Sequence, residues 1–183
     1  RQMCIRDRWS DWSRTERRAF SLVNGQFFDT RNATMAPLAF STKINGAVYK
    51  GYGDRNEFKN QKRMLRLGTD TARIDHYRDN GRALPRLPEK NIIVGLNPTV
   101  NKAARFRRRR TFVGTKADGS VLIFASPAAT QRYATRILRA FGAAADDIMM
   151  LDGGGSTALV AEDRDLISSL RRVPQVIGVV HAH

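Results

Sequence analysis

One thirteen-residue run constrains this chain more than any other: Ile148-Met149-Met150-Leu151-Asp152-Gly153-Gly154-Gly155-Ser156-Thr157-Ala158-Leu159-Val160. Four consecutive apolar residues predict a strand buried on both faces. That strand delivers one carboxylate to its end, and three glycines then free the backbone ahead of two hydroxyls and a second apolar strand. A triple glycine costs chain entropy and offers nothing to pack, so it predicts a tight turn or a close approach to the backbone. A carboxylate, exposed amides and hydroxyls at one strand end are the parts of an anion or sugar site. The competing reading is a plain hairpin turn in which Asp152 bonds its own backbone.

Around this run the chain reads as a succession of strands with one firm helix. The alternating residues 19–23 predict a strand that delivers Asn24 and Gly25 to a turn anchored by Phe27 and Phe28. Residues 35–40 and 43–52 offer another strand or two, with Asn45-Gly46 as a hairpin signal, whereas the polar, basic stretch 54–66 predicts a surface loop. A short strand over 71–77 is ended by Asp79-Asn80-Gly81. Pro85 and Pro88 mark a connecting loop, and a buried strand over 91–96 is stopped by Pro98. Asp118-Gly119 predicts a hairpin between residues 111–115 and 120–124. Ser126 is a suitable helix cap with Pro127 at the first position and Gly142 at the close. Tyr133, Ala134, Ile137, Leu138 and Phe141 form the expected core face of that helix, and Arg132, Arg136 and Arg139 a separate basic face. Residues 162–171 read as polar with short helical character, and 173–180 as a last strand. The sum is an α+β fold: a single domain with a twisted mixed or mainly antiparallel sheet and few packed helices.

Composition bounds the partners. At 183 residues and 42% hydrophobic content the chain suits one domain with a real core. A formal charge of +15 favours polyanionic or phosphate-bearing partners without identifying the anion. Cys4 is the single cysteine, which excludes an internal disulfide and a thiolate metal cluster. No apolar run reaches the roughly 20 residues that span a bilayer, and no signal peptide is visible. Residues 1–18 read as a basic N-terminal segment; its arginine-rich start is taken as foreign sequence or disorder and set aside, leaving 19–183 as the domain. His76, His181 and His183 have no metal-site spacing, so no metal and no cofactor is expected, although carboxylates and carbonyls leave a bound cation open.

Several segments taken in order carry a resemblance. Val23-Asn24-Gly25-Gln26-Phe27-Phe28-Asp29, then Arg110-Thr111-Phe112-Val113-Gly114 with Asp118-Gly119, then the triple-glycine run, and finally Arg172-Val173-Pro174-Gln175-Val176-Ile177-Gly178-Val179 follow one another. This order resembles the phosphodiester glycosidase family, whose members include the lysosomal uncovering enzyme that removes N-acetylglucosamine from a sugar phosphodiester. The resemblance implies a hydrolase that cleaves a sugar from a phosphodiester-linked glycan or sugar-1-phosphodiester, outside the cytoplasm or secreted. It implies Asp152 as the carboxylate acting at the sugar, whether as nucleophile, as base for water or by gripping hydroxyls. Arg110 is then the phosphate fork, and Asp118 or Asp29 the second carboxylate of a paired scheme. Asn24, Gly25, Asp29, Gly153, Gly154, Gly155, Ser156 and Thr157 would contact substrate. Three departures stand out: Gln26 replaces the second glycine usual after Asn-Gly, Phe112 stands where a small residue is usual, and no Asn-x-Pro follows the triple-glycine strand.

Two other functions compete. A basic module could bind nucleic acid or another polyanion through Arg105, the arginines 107–110 and the basic helix face, with affinity falling as salt rises. That reading leaves the glycine turn unexplained. A relative of the family that has lost catalysis and binds glycan is the other.

Overall fold

The computed structural model describes residues 19–31, 36–162 and 164–180. The expectations placed on residues 1–18, Cys4, Met35, His181 and His183 lie outside them. In chain order the strands are β1 (Ala19–Asn24), β2 (Thr42–Ile44), β3 (Ala47–Tyr49), β4 (Lys62–Leu67), β5 (Ala72–His76), β6 (Asn91–Leu96), β7 (Arg108–Thr115), β8 (Val121–Ala129), β9 (Ile148–Met150), β10 (Leu159–Ala161), β11 (Arg164–Ile167) and β12 (Val176–Val180). One α-helix, α1 (Gln131–Ala140), lies between β8 and β9. Four strands make a small sheet in the order β11-β10-β1-β12, and the others a large sheet along β3-β2-β6-β9-β7-β8, with β4 and β5 branching from β6. The pairings among the described residues run antiparallel. This is an α+β fold of mostly antiparallel sheet with few helices. No helix among the described residues is long and apolar enough to cross a membrane.

Local chemistry accounts for the hairpins. Asn45 and Gly46 both take left-handed backbone angles, φ 49° and 87°, as a two-residue turn joining β2 to β3 requires. Between β7 and β8 the Gly119 amide donates to Lys116 O at 3.0 Å, closing the expected turn.

Four expectations need correction. The stretch 54–66 is not all surface loop: its second part is β4, with Lys62, Arg63, Leu65 and Arg66 buried. Its charges are matched inside, since Arg63 donates to Ile148 O at 2.6 Å and pairs with Asp146 at 2.9 Å, while Arg66 bridges Asp75 and Glu89. The helix starts later than Ser126, because β8 runs on through Ser126 and Pro127. Thr130 caps α1 instead, accepting the Tyr133 amide at 3.1 Å. Proline is tolerated there because β8 ends the sheet path, where no further strand needs its N–H. On α1 the buried stripe is Gln131, Ala134 and Leu138, while Tyr133 and Phe141 remain 45% and 68% exposed. Finally, residues 164–167 form strand β11 rather than helix, paired with β10.

Alternation along β7 sorts its side chains between two cores. Phe112 joins Leu138, Ala134 and Ile148 in the core under α1, edge-on to Phe124 at 6.5 Å. Val113 joins Met149, Leu151 and Leu65 on the other face, with Ile177 of the small sheet packed against them. Phe112 therefore fills the core under the helix, and its size does not intrude on the face that carries Thr111.

Candidate active site

The site grows from the junction of the two sheets. Asn24 ends β1, is almost wholly buried, and uses its whole amide. Its Oδ1 accepts from Thr111 Oγ1 at 2.6 Å and from the Ala158 amide at 3.1 Å, and its Nδ2 donates to Asp152 O at 2.7 Å. The Asp152 amide donates in turn to Gly25 O at 3.2 Å. Both backbone groups of Asp152 are thus held, which fixes where its carboxylate stands at the end of β9. Asn24, expected to touch substrate, has its amide engaged in holding the backbone of Asp152 and Ala158 and the Thr111 hydroxyl.

Each glycine here has a separate reason. A side chain on Gly25 would meet Gln175 Oε1 at 2.7 Å, where the Gly25 amide donates to Gln175 O at 2.8 Å. Gly154 has φ +60°, the left-handed region, and begins a short turn of 3-10 helix at residues 154–156. A β-carbon on Gly155 would lie 2.6 Å from Arg171 Nε and 2.8 Å from a terminal nitrogen of the same guanidinium, which therefore lies against this glycine.

Asp152 Oδ1 accepts the Gly153 amide at 2.9 Å, so the carboxylate does bond its own turn, as the plainer reading required. It does more than that. Burial raises its pKa above the ordinary carboxylate range, and the nearby Ser156 hydroxyl, the Gly153 amide, Arg171 and Lys102 only partly offset the rise. Around it several buried polar atoms lack a hydrogen-bond partner of good geometry: Ser156 Oγ, which faces the carboxylate without closing a bond to it, Thr157 Oγ1, Gln26 Nε2 and Arg109 Nε. Gln26, the departure from Asn-Gly-Gly, turns its side chain inward, where Oε1 accepts the Phe40 amide at 3.1 Å and Nε2 is left over. A cluster of unpartnered buried donors and acceptors is costly unless a ligand or water completes it.

Arg110 does not join this site. Strand alternation sends Arg109 and Thr111 toward the Asp152 turn and Arg110 the other way. Its buried guanidinium donates to Lys102 O and Ala103 O, both at 2.7 Å, and to Ala129 O and Phe106 O, both at 3.3 Å. These carbonyls occupy it as a structural tie, and burial with the nearby Arg108 lowers its pKa. Arg109 is the arginine on the site's side, donating to Thr157 O at 3.0 Å and to Ser168 O.

Asp118 is likewise remote. It sits in the β7–β8 turn, at the opposite end of β7 from the Asp152 run, since Thr111 O receives the Leu151 amide. There its carboxylate accepts the Ser120 amide at 2.8 Å and pairs with Lys116 at 3.0 Å, bonds that hold its pKa down at about 2. Asp29 grips Arg31 with 2.8–3.2 Å contacts. Burial, Glu57 and Asp29 raise the pKa of half-exposed Tyr52, with Asp152 adding to the rise. No group of three or more His, Cys, Asp or Glu that could hold a metal ion occurs among the described residues.

Sequence reasoning missed Arg171, Lys102 and Arg109 beside the Asp152 turn. Arg171 is adjacent to the closing Arg172-Val173-Pro174 segment, but neither spacing nor composition distinguishes it from its neighbour. Lys102 lies over the rings of Phe27 and Phe58, 5.3 and 4.5 Å from their centres, and had no sequence signal at all.

The junction of the two sheets thus brings together a buried carboxylate, two cations and a glycine turn. Sequence comparison is more specific: residues 18–180 match the phosphodiester glycosidase family, and the chain belongs to it. Among solved structures it is similar in fold to the zebrafish N-acetylglucosamine-1-phosphodiester alpha-N-acetylglucosaminidase catalytic domain, auto-inhibited by its pro-peptide. That likeness has a TM-score of 0.64 at 16% identity and covers 91% of this chain and 64% of that one. A hypothetical protein from Synechocystis is similar over 95% of this chain and 54% of its own, with a TM-score of 0.57 and 12% identity. The chain thus spans less than two thirds of either. No curated protein matches it by sequence.

Proposed function

We propose that the protein is a hydrolase releasing a sugar from a phosphodiester-linked glycan or a sugar-1-phosphodiester, with Asp152 acting at the sugar carbon and Arg171 at the phosphate. The observation that carries this reading is the desolvated Asp152 carboxylate, held by Asn24 and Gly25 and set among unpartnered hydroxyls with Arg171 and Lys102 beside it. Membership of the family supports the reaction class. In the reaction the bond from the sugar carbon to the bridging oxygen breaks, and its electron pair leaves with the phosphate monoester. Water supplies the oxygen that ends on the sugar. Either Asp152 takes a proton from that water, or it attacks first and water opens the resulting ester. A phosphate leaves with less protonation than an alcohol, so cations matter more here than a second acid. Arg171 supplies what Arg110, occupied by carbonyls, does not.

The test is sugar release from sugar-1-phosphodiesters. Asp152→Asn is expected to lower the rate by about 10²–10⁴-fold. Folding should be unharmed, because charging a carboxylate whose folded pKa is raised costs stability as pH rises through that range. If the carboxylate acts ionised, activity climbs with pH along a limb placed above the ordinary carboxylate range, and the variant loses that limb. Undiminished release by the Asp152→Asn variant would overturn the assignment. The family match lends nothing to the nucleic-acid alternative.

A further inference from the structure

A groove of about 950 Å³ opens between α1 and the loop after β6, well apart in chemistry from the Asp152 turn. Arg105, Arg132, Arg136 and Arg139 line it, and no Asp or Glu does. The three helix arginines stand at i, i+4 and i+7, which places them along one face. None of the four makes an ion pair with a described residue. Four fixed positive charges without counter-charges repel one another and raise the local concentration of anions.

The groove has a firm floor. Buried Gln131 donates to Pro98 O at 2.8 Å and to Val100 O at 2.7 Å, and accepts the Lys102 amide at 3.0 Å. From beneath, Arg110 holds Lys102 O and Ala103 O. The loop is therefore clamped from two sides: Pro98, Thr99 and Ala104 face the groove, while the Lys102 charge is felt at Asp152. The loop that lines the groove therefore also carries Lys102.

We infer that this groove is a second binding site, a track for the repeating phosphates of a polymeric phosphodiester glycan whose sugar phosphate is presented at Asp152. The inference rests on the hydrolase reading for the role of the bound polymer. Guanidinium forks match phosphate oxygens in pairs, and successive arginines along α1 suit a chain with charge at intervals. Exposed Tyr133 lies under Arg136, its ring centre 5.2 Å from the guanidinium carbon, and exposed Phe106 follows Arg105, so single-stranded nucleic acid is the competing polyanion that the experiment separates from a glycan.

The experiment titrates an oligomer of sugars joined through sugar-1-phosphodiester bonds, and separately a sugar 1-phosphate, into Asp152→Asn protein with and without Arg132→Gln, Arg136→Gln and Arg139→Gln. The three arginines are exposed, and an unchanged thermal melt confirms folding. Losing them should weaken the oligomer by about tenfold or more at moderate salt and flatten its log affinity against log salt by about 2, with the sugar phosphate affected far less. Unchanged oligomer affinity, or equal loss for both ligands, would overturn the track. So would tighter binding of an oligodeoxynucleotide of equal charge at physiological salt. Absence of sugar release by the unmodified protein counts against the hydrolase reading alone, and the titration still decides the groove.

Discussion

Two buried polar clusters in this molecule are built in opposite ways. Around Asp54 every oxygen is supplied: one accepts the Tyr77 hydroxyl at 2.7 Å and the Ser41 amide at 2.9 Å, and the other accepts the Ser41 hydroxyl. Buried Lys62 donates to the carbonyls of Gly53 and Asp54 and lies over the Phe40 and Tyr77 rings, and burial lowers its pKa. Around Asp152 the hydroxyls of Ser156 and Thr157, and nearby the Nε2 of Gln26, go unmatched. Both clusters combine a carboxylate with hydroxyls and a cation, so residue type alone does not separate them. Satisfaction does: a closed network holds structure, and an open one is preorganised for something that arrives.

The comparison can be broken by substitutions that should diverge. The largest effect is expected at the closed cluster. Asp54→Ala strands the Tyr77 hydroxyl and both Ser41 donors, and should cost about 3 kcal/mol or more in denaturant unfolding. A loss below about 1 kcal/mol would mean the network is not closed in solution. Next comes Gly155→Ala, whose new carbon displaces the end of the flexible Arg171 side chain rather than backbone. Activity should fall by about tenfold, the range of one charge-assisted hydrogen bond, with little change in melting temperature. Equal damage to both would make Gly155 a folding residue. The smallest effect belongs to Thr157→Val, which keeps shape while deleting an unpartnered hydroxyl. Stability should stay level or rise by up to about 1 kcal/mol, while the KM for a sugar phosphodiester increases. Clear destabilisation would show that Thr157 Oγ1 already has a partner.

How far the sequence foretold this molecule depends on how local the cause was. Asn45-Gly46 and Asp118-Gly119 were readable as hairpins because the cause is local: both Asn45 and Gly46, and in the second turn Gly119, take left-handed angles. The meeting of Asn24 with Asp152 was readable only through the order of segments, and its nature was not: a substrate ligand and a structural strut look the same in one dimension. The arginine run shows the limit most clearly. Arg109 and Arg110 are neighbours in an unbroken basic stretch, and only the parity of β7, shifted by an irregularity between Arg108 and Arg110, decides which one faces the glycine turn. β4 was hidden for a related reason, since Arg63 and Arg66 read as solvent-loving until the carbonyls and carboxylates that receive them are seen. Ser126-Pro127 imitates a helix start, yet an edge strand tolerates the same pair.

Asn24 also sets when the Asp152 turn can take its final place. Its amide joins partners 87, 128 and 134 residues away along the chain, so the loops that separate them must close before any of the three bonds can form. Such distant closures come slowly and stabilise the chain late. A refolding molecule would regain most of its hairpins early and the geometry around Asp152 last, and a polypeptide emerging from the ribosome completes that geometry only after Ala158 has cleared the exit.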